Sequence, residues 1–175
     1  AVVDMYAKCG MLAKAQELLE ELPIRDIVAW NALIGGYIHH GQGREALTSF
    51  EHMKCEGYSP NIVTFIFILK ACGIIKAIDK GKEIHEKVDS IGLLSKDVAL
   101  GNALIDMYVK CGMSSKAQKL LQDLPIQDVE LWSTLMVGYI KQGQCHEAFN
   151  CFEQMQSEGL SPDVVTFISI LKACG

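Results

Sequence analysis

Lys8, Lys110 and Lys141 stand at equivalent places in a recurring pattern, with His39 at that place in one further unit and Ile74 in another. One cation per step makes a narrow positive line that can hold a string of phosphates, even on a chain whose formal net charge is −5. The negative total argues against a broad nucleic-acid-binding surface and leaves room only for such a line. Most helix lysines merely solvate a face; recurrence at one place in the pattern favours the phosphate role. Asn31, Asn102 and Ser133 recur near helix starts, where an amide or hydroxyl either caps the helix or offers hydrogen bonds to a ligand. Taken singly, each reads as a cap, and Asp26 and Asp128 read as carboxylates complementing helix dipoles.

No catalytic constellation is visible, and no cofactor or metal is implied. Zinc-dependent deaminases need H-x-E with a distal P-C-x-x-C; His85-Glu86 lacks the spacer, and no C-x-x-C occurs among the seven cysteines. Gly41-Gln42-Gly43 leads into Arg44-Glu45-Ala46 and reads as an inter-helix turn rather than a phosphate loop. Adjacent His39 and His40 diverge by about 100° on a helix and cannot chelate together. Cys9 and Cys72 have repeat equivalents in Cys111 and Cys174, whereas Cys55, Cys145 and Cys151 do not, which suits small reduced core and surface residues.

The elements that place these residues follow from self-similarity. Positions 1–73 realign on 103–175 at an offset of 102, with 43 of 73 residues identical. A repeated unit buries its apolar face against its neighbours, so the repeat decides the architecture. Half of the 175 residues are apolar and 21% are charged, enough to bury a continuous core. No apolar run approaches the roughly 18 residues of a membrane span. The chain opens in mid-pattern at Ala1 without a signal or transit segment, and reads as a piece of something longer.

Apolar residues recur at helical spacing, as in Ile27, Trp30, Leu33, Ile34, Tyr37 and Ile38. Gly41 and Gly43 interrupt that helix, and Gly57, Ser59 and Pro60 close the next, through Ala46, Leu47, Phe50 and Met53. The same alternation predicts helices over Ala1–Lys8 and Leu12–Glu21, then Ile62–Cys72 and Ile78–Ser90 either side of a break at Gly73. It continues with Ala99–Cys111, Ser114–Asp123, Val129–Lys141, His146–Ser157 and Val164–Cys174. Ala13, Ala15, Ala46, Ala117 and Ala148 stand where close helix approach is needed. The expected fold is all-α, an α-solenoid of stacked antiparallel helix-turn-helix units whose first helices line a groove.

Unit lengths are unequal and periodic: 35 residues for 27–61, 36 for 62–97, 31 for 98–128 and 35 for 129–163. With the strings "DIVAWNALIGGYIHHGQGREALTSFEHMKCEGYSPN", "VTFIFILKACG", "GKEIHEKV", "NALIDMYVKCG" and "SPDVVTFISILKACG", this resembles the pentatricopeptide repeat family, in its plant subclass of P, L and S triplets. The order is a partial S unit (1–26), P (27–61), L (62–97), S (98–128), P (129–163) and a partial L unit (164–175). The nearest structural alternative is a peptide-binding tetratricopeptide array, which its uniform unit length and unmet W-x-x-L-G-x-x-Y signature disfavour.

The resemblance implies a right-handed superhelix and single-stranded RNA in its groove, one base per unit, read by the fifth and last residues. The pairs are Asn31 with Asn61, implying a pyrimidine and more often cytosine; Ile66 with Asp97, unspecified; Asn102 with Asp128, implying uracil; and Ser133 with Asp163, implying guanine. Asp26 survives from the partial first unit, and Ile168 stands fifth in the partial last one. Recurrence at the family's two reading positions turns the set from caps into base readers. The second residue of each unit is expected to sandwich a base: Val28, Val63, Ala99, Glu130 and Val165, of which the Glu130 carboxylate suits the role poorly. By the same resemblance the chain is no enzyme but selects sites for cytidine-to-uridine editing in a mitochondrion or chloroplast, the deaminase lying in an extension or partner. Ile66, Phe67, Ile74 and Ile75 would offer an apolar surface to accessory proteins of the editing complex, an alternative main role as protein scaffold. Uncapped solenoid ends attract one another, so end-to-end self-association is also expected.

Overall fold

A computed structural model describes residues 2–125 and 127–174, the side chains of 165 and 172–174 aside. Among these residues all regular structure is helical: α1 (Val2–Lys8), α2 (Leu12–Glu21), α3 (Ile27–His39), α4 (Gly43–Cys55), α5 (Ile62–Ile75), α6 (Ile78–Ser90), α7 (Val98–Lys110), α8 (Ser114–Asp123), α9 (Val129–Lys141), α10 (Cys145–Ser157) and α11 (Val164–Cys174). The chain divides into two compact units, Ala1–Ile84 and His85–Gly175.

In the first unit, α3 packs against α1 on one side and α5 on the other, while α2 covers α1 and α3 and α4 covers α3 and α5. The second unit repeats the scheme: α7, α9 and α11 stack in order, with α8 over α7 and α9 and α10 over α9 and α11. These are stacked antiparallel hairpins in two layers, the architecture of an α-solenoid. The buried seams hold Leu33, Ile34, Phe50, Met53, Ile68 and Leu69 in the first unit and Leu100, Leu104, Ile105, Trp132, Leu135 and Met136 in the second.

Tyrosines tie three of the first helices, α3, α7 and α9, to the second helix before them. The Tyr37 hydroxyl donates to Gln16 Oε1 at 2.8 Å, and its repeat equivalent Tyr139 donates to Gln118 Oε1 at 2.6 Å. Tyr108 makes the same kind of bond with His85 Nδ1 at 2.8 Å, and burial pushes the Tyr108 and Tyr139 phenols up to about 12. Ala15, Ala46, Ala117 and Ala148 are fully buried at helix contacts, as their size requires. Ala13 is exposed, on the opposite face of α2 from Ala15.

One element differs from the sequence expectation. Helix α5 does not break at Gly73 but runs to Ile75 and turns at Lys76, the one described non-glycine residue in the left-handed region, with φ 55°. Gly73 is buried within the helix, and packing offsets the roughly 1 kcal/mol that a helical glycine costs. The preceding turn, in contrast, uses Gly41 at φ 73° as expected, and Gly43 already belongs to α4, where an added Cβ would stand 2.8 Å from Ile75 and 3.0 Å from the Ala71 carbonyl.

Burial, then the nearby Lys116 ammonium, holds the His85 imidazole below its ordinary value, with Asp89 and Glu86 opposing. A base depressed in the folded state binds fewer protons there, so stability is lost as pH falls below about 6.5. Urea midpoints should therefore fall between pH 7 and pH 5, less steeply in His85→Gln; equal slopes would refute the assignment. Gly36 lies against α1, where an added Cβ would stand 2.6 Å from Ala7 Cβ and 3.2 Å from Ala7 Cα. Overpacking of about 1–3 kcal/mol should outweigh the helix-propensity gain of about 1 kcal/mol in Gly36→Ala, lowering its melting temperature.

Candidate nucleic-acid interface

The last residue of each unit is the cap of the next first helix. Asp26, Asn61, Asp97 and Asp128 have extended backbones and accept, through Oδ1, the N–H three residues on: Ala29 at 2.7 Å, Thr64 at 3.0 Å, Leu100 at 2.9 Å and Leu131 at 2.9 Å. Asp163 does the same for Thr166 at 2.7 Å. The helix-capping role is thus carried by these residues and not by Asn31, Asn102 or Ser133, which sit one turn further in. A cap uses one oxygen only, leaving the rest of each amide or carboxylate for another task.

The fifth residues lie just beneath the surface. Asn31 is 7% exposed and Ser133 5%, while Asn102 and Ile66 are half-buried and Ile168 is exposed. In the first unit the expected reading pair is in direct contact: Asn31 Nδ2 donates to Asn61 Oδ1 at 3.1 Å. A third residue completes this cluster, since the fully buried Thr64 hydroxyl lies 2.8 Å from Asn31 Oδ1 and 3.0 Å from Asn61 Oδ1, while the Asn61 N–H donates to it at 3.2 Å. In the second unit Ser133 Oγ meets Thr166 Oγ1 at 2.9 Å, and Thr166 Oγ1 meets Asp163 Oδ1 at 2.7 Å. Asn102 has Leu131 at the corresponding place, and its Oδ1 is buried with no hydrogen-bond partner.

The second residues point outward. Val28 is 65% exposed and Val63 46%, unusual for valine on a packed helix, and Ala99 and Glu130 are exposed as well. The Val165 side chain lies outside the described residues.

Two of the four expected phosphate cations are already paired. Lys8 Nζ is 2.8 Å from Asp4 Oδ2 and Lys110 Nζ 2.7 Å from Asp106 Oδ2, each one helical turn back on an exposed face. His39 and Lys141 have Gly35 and Val137 at that place and are exposed. The Asp four residues before Lys is legible in sequence as an i,i+4 pair and lowers the positive charge of the line.

In the first unit these residues share one concavity of about 720 Å³. Val28, Asn31, Ala32, Gly35, Gly36 and His39 of α3 form its floor, Asp4 and Lys8 of α1 one side, and Phe67 of α5 the other. Gly35 is what opens it toward Phe67, whose ring would lie 3.0 Å from an added Cβ. Phe67 therefore faces this hollow, while Ile74 is 38% exposed and Ile66 and Ile75 are half-buried. Among the described residues no group of acidic, histidine and cysteine side chains could hold a metal ion. The buried Cys151 thiol is pushed up to about 12, first by burial, which disfavours the reactive thiolate.

Stacked hairpins with recurring capping residues define a repeat protein with a modular face. The model of the PPR repeat family matches residues 25–73 and 127–175, and that of the PPR repeat matches 1–27 and 102–126. The chain belongs to the pentatricopeptide repeat family. A chloroplastic pentatricopeptide repeat-containing protein of Arabidopsis thaliana is 38% identical over 99% of the chain, and a mitochondrial one 35% identical over 99%. The chain spans about a quarter of the length of these relatives, 24% and 25%. The maize pentatricopeptide repeat protein PPR10, solved with an 18-nucleotide psaJ RNA element, superposes with a TM-score of 0.81 at 28% identity, over 96% of this chain and 26% of that one.

Removing a cap leaves an orphan helix N–H, at a cost of about 1 kcal/mol. Asp128→Ala should lower unfolding free energy by that amount in urea titrations, and Asp128→Asn, which keeps the accepting oxygen, should stay close to the parent chain.

Proposed function

We propose that the chain binds single-stranded RNA by sequence, one base per unit, and in its whole protein selects sites for cytidine-to-uridine editing in a mitochondrion or chloroplast. The carrying observation is the concavity of the first unit, where the expected sandwich residue Val28, reading residue Asn31 and phosphate contacts Lys8 and His39 stand together. An exposed aliphatic side chain gives a base a surface to stack on, a sunken amide selects its edge, and cations take the phosphates.

The likeness to PPR10, whose structure holds an RNA element, supports RNA as the ligand. The alternation of 35-, 36- and 31-residue units supports the P, L and S subclass, and relatives named chloroplastic or mitochondrial support the organelle. With RNA running 5′ to 3′ from the N- to the C-terminal unit, the target reads unknown–pyrimidine–any–U–G. The chain supplies recognition only, and the chemistry belongs to an extension or partner.

The test is fluorescence anisotropy with an oligonucleotide carrying pyrimidine–N–U–G against a scrambled one. Tighter binding to the former is expected, weakening with salt only as far as its few phosphate contacts release counterions. Glu130→Val should tighten it further by removing a carboxylate from beside a phosphate. Equal affinities for the two sequences would remove the base assignment.

A further inference from the structure

We infer that Thr64 and Thr166 are positioning residues whose single hydroxyl proton sets whether a unit's reading pair offers donors or acceptors, so that unit 27–61 takes cytosine over uracil and unit 129–163 takes guanine over adenine. This rests on the base-reading function proposed above.

In the first cluster the orientations follow one from another. The Thr64 backbone N–H must meet an acceptor, so the Asn61 atom 3.0 Å away is its oxygen. That oxygen can accept only from the nitrogen of Asn31, at 3.1 Å, which turns Asn31 Oδ1 toward the Thr64 hydroxyl at 2.8 Å. Asn61 Oδ1 then accepts two N–H groups, and the Thr64 proton goes to Asn31 Oδ1 rather than to Asn61 Oδ1 at 3.0 Å. Three N–H groups remain, the second of Asn31 and both of Asn61, against one lone pair on Asn31 Oδ1, so the pair is mainly a donor.

The second cluster runs the other way. An ionised carboxylate only accepts, so the 2.7 Å contact of Thr166 Oγ1 with Asp163 Oδ1 takes the threonine proton. Ser133 must then donate its own proton to Thr166 Oγ1 at 2.9 Å. Serine is left with lone pairs, and the carboxylate has nothing but lone pairs: acceptors.

Base edges answer these two patterns. Cytosine alone has two adjacent acceptors, N3 and O2, on its Watson–Crick edge; uracil places a donor, N3–H, between its carbonyls. Guanine alone has two adjacent donors, N1–H and N2–H. The same hydroxyl thus locks a donor pattern beside Asn61 and an acceptor pattern beside Asp163. Unit 98–128 is the internal contrast, because Leu131 holds the hydroxyl's place and Asn102 Oδ1 has no partner.

The experiment measures, on the 175-residue chain, affinity ratios for single-base changes facing each unit. Thr64→Val should lower the cytosine-over-uracil ratio about tenfold, the worth of one fixed hydrogen bond to a base edge. Thr64→Ser should retain the ratio, and neither change should alter the uracil preference facing unit 98–128. Where Thr64→Val fails to fold by circular dichroism, the unsubstituted chain serves: pyrimidin-2-one, which keeps N3 and O2, should bind like cytosine, and inosine, lacking N2–H, should bind more weakly than guanine. A retained ratio in Thr64→Val, or pyrimidin-2-one binding like uracil, overturns the inference and leaves base reading intact. An unsubstituted chain with no base preference at either unit overturns both.

Discussion

A helix that begins inside a protein must find partners for its first N–H groups, and five first helices here solve this with the same hydrogen bond. The oxygen comes from Asp26, Asn61, Asp97, Asp128 or Asp163, the closing residue of each unit. The constraint fixes where each first helix starts, and so fixes which residue is second, which is fifth and which lies one turn from the end. The expected sandwich, reading and phosphate positions are spaced from that bond. A residue that must accept an N–H is confined to short oxygen-bearing side chains, and among these Asn and Asp leave different atoms over for a ligand.

The face so built is balanced rather than strongly charged. Asp4 and Asp106 hold Lys8 and Lys110, and exposed pairs of this kind contribute between nothing and about 1 kcal/mol to stability. Their larger effect is on the field, since a paired lysine must share itself with any phosphate. Under the proposed function, weak attraction to an RNA backbone would give the base edges more say.

Much of this was legible in the chain itself. The 3.6-residue period of α3 and α9, the Gly and Pro stops, and the 102-residue offset gave the hairpins to within a residue or two at most ends. Gly73 misled because a glycine reads as a stop, whereas this one is buried inside α5 and the turn falls at Lys76. Ala13 misled because small size alone does not say which face of a helix a residue occupies. In the candidate interface the reading pairs were visible as recurring residue types. Thr64 was not, since its link to Asn31 spans 33 residues and exists only once α3 and α5 are side by side. The Asp4–Lys8 and Asp106–Lys110 pairs were readable from their i,i+4 spacing, and their meaning emerged only with the concavity around them.

A crystal structure of the chain with a bound oligonucleotide tests the central claim most directly, namely that the capping residue holds its helix and faces a base at the same time. The Asn61 Oδ1 to Thr64 N–H bond should persist in the complex while Asn61 Nδ2 points to the edge of a base resting on Val28. A base seated elsewhere, or a cap broken to reach it, would contradict the account.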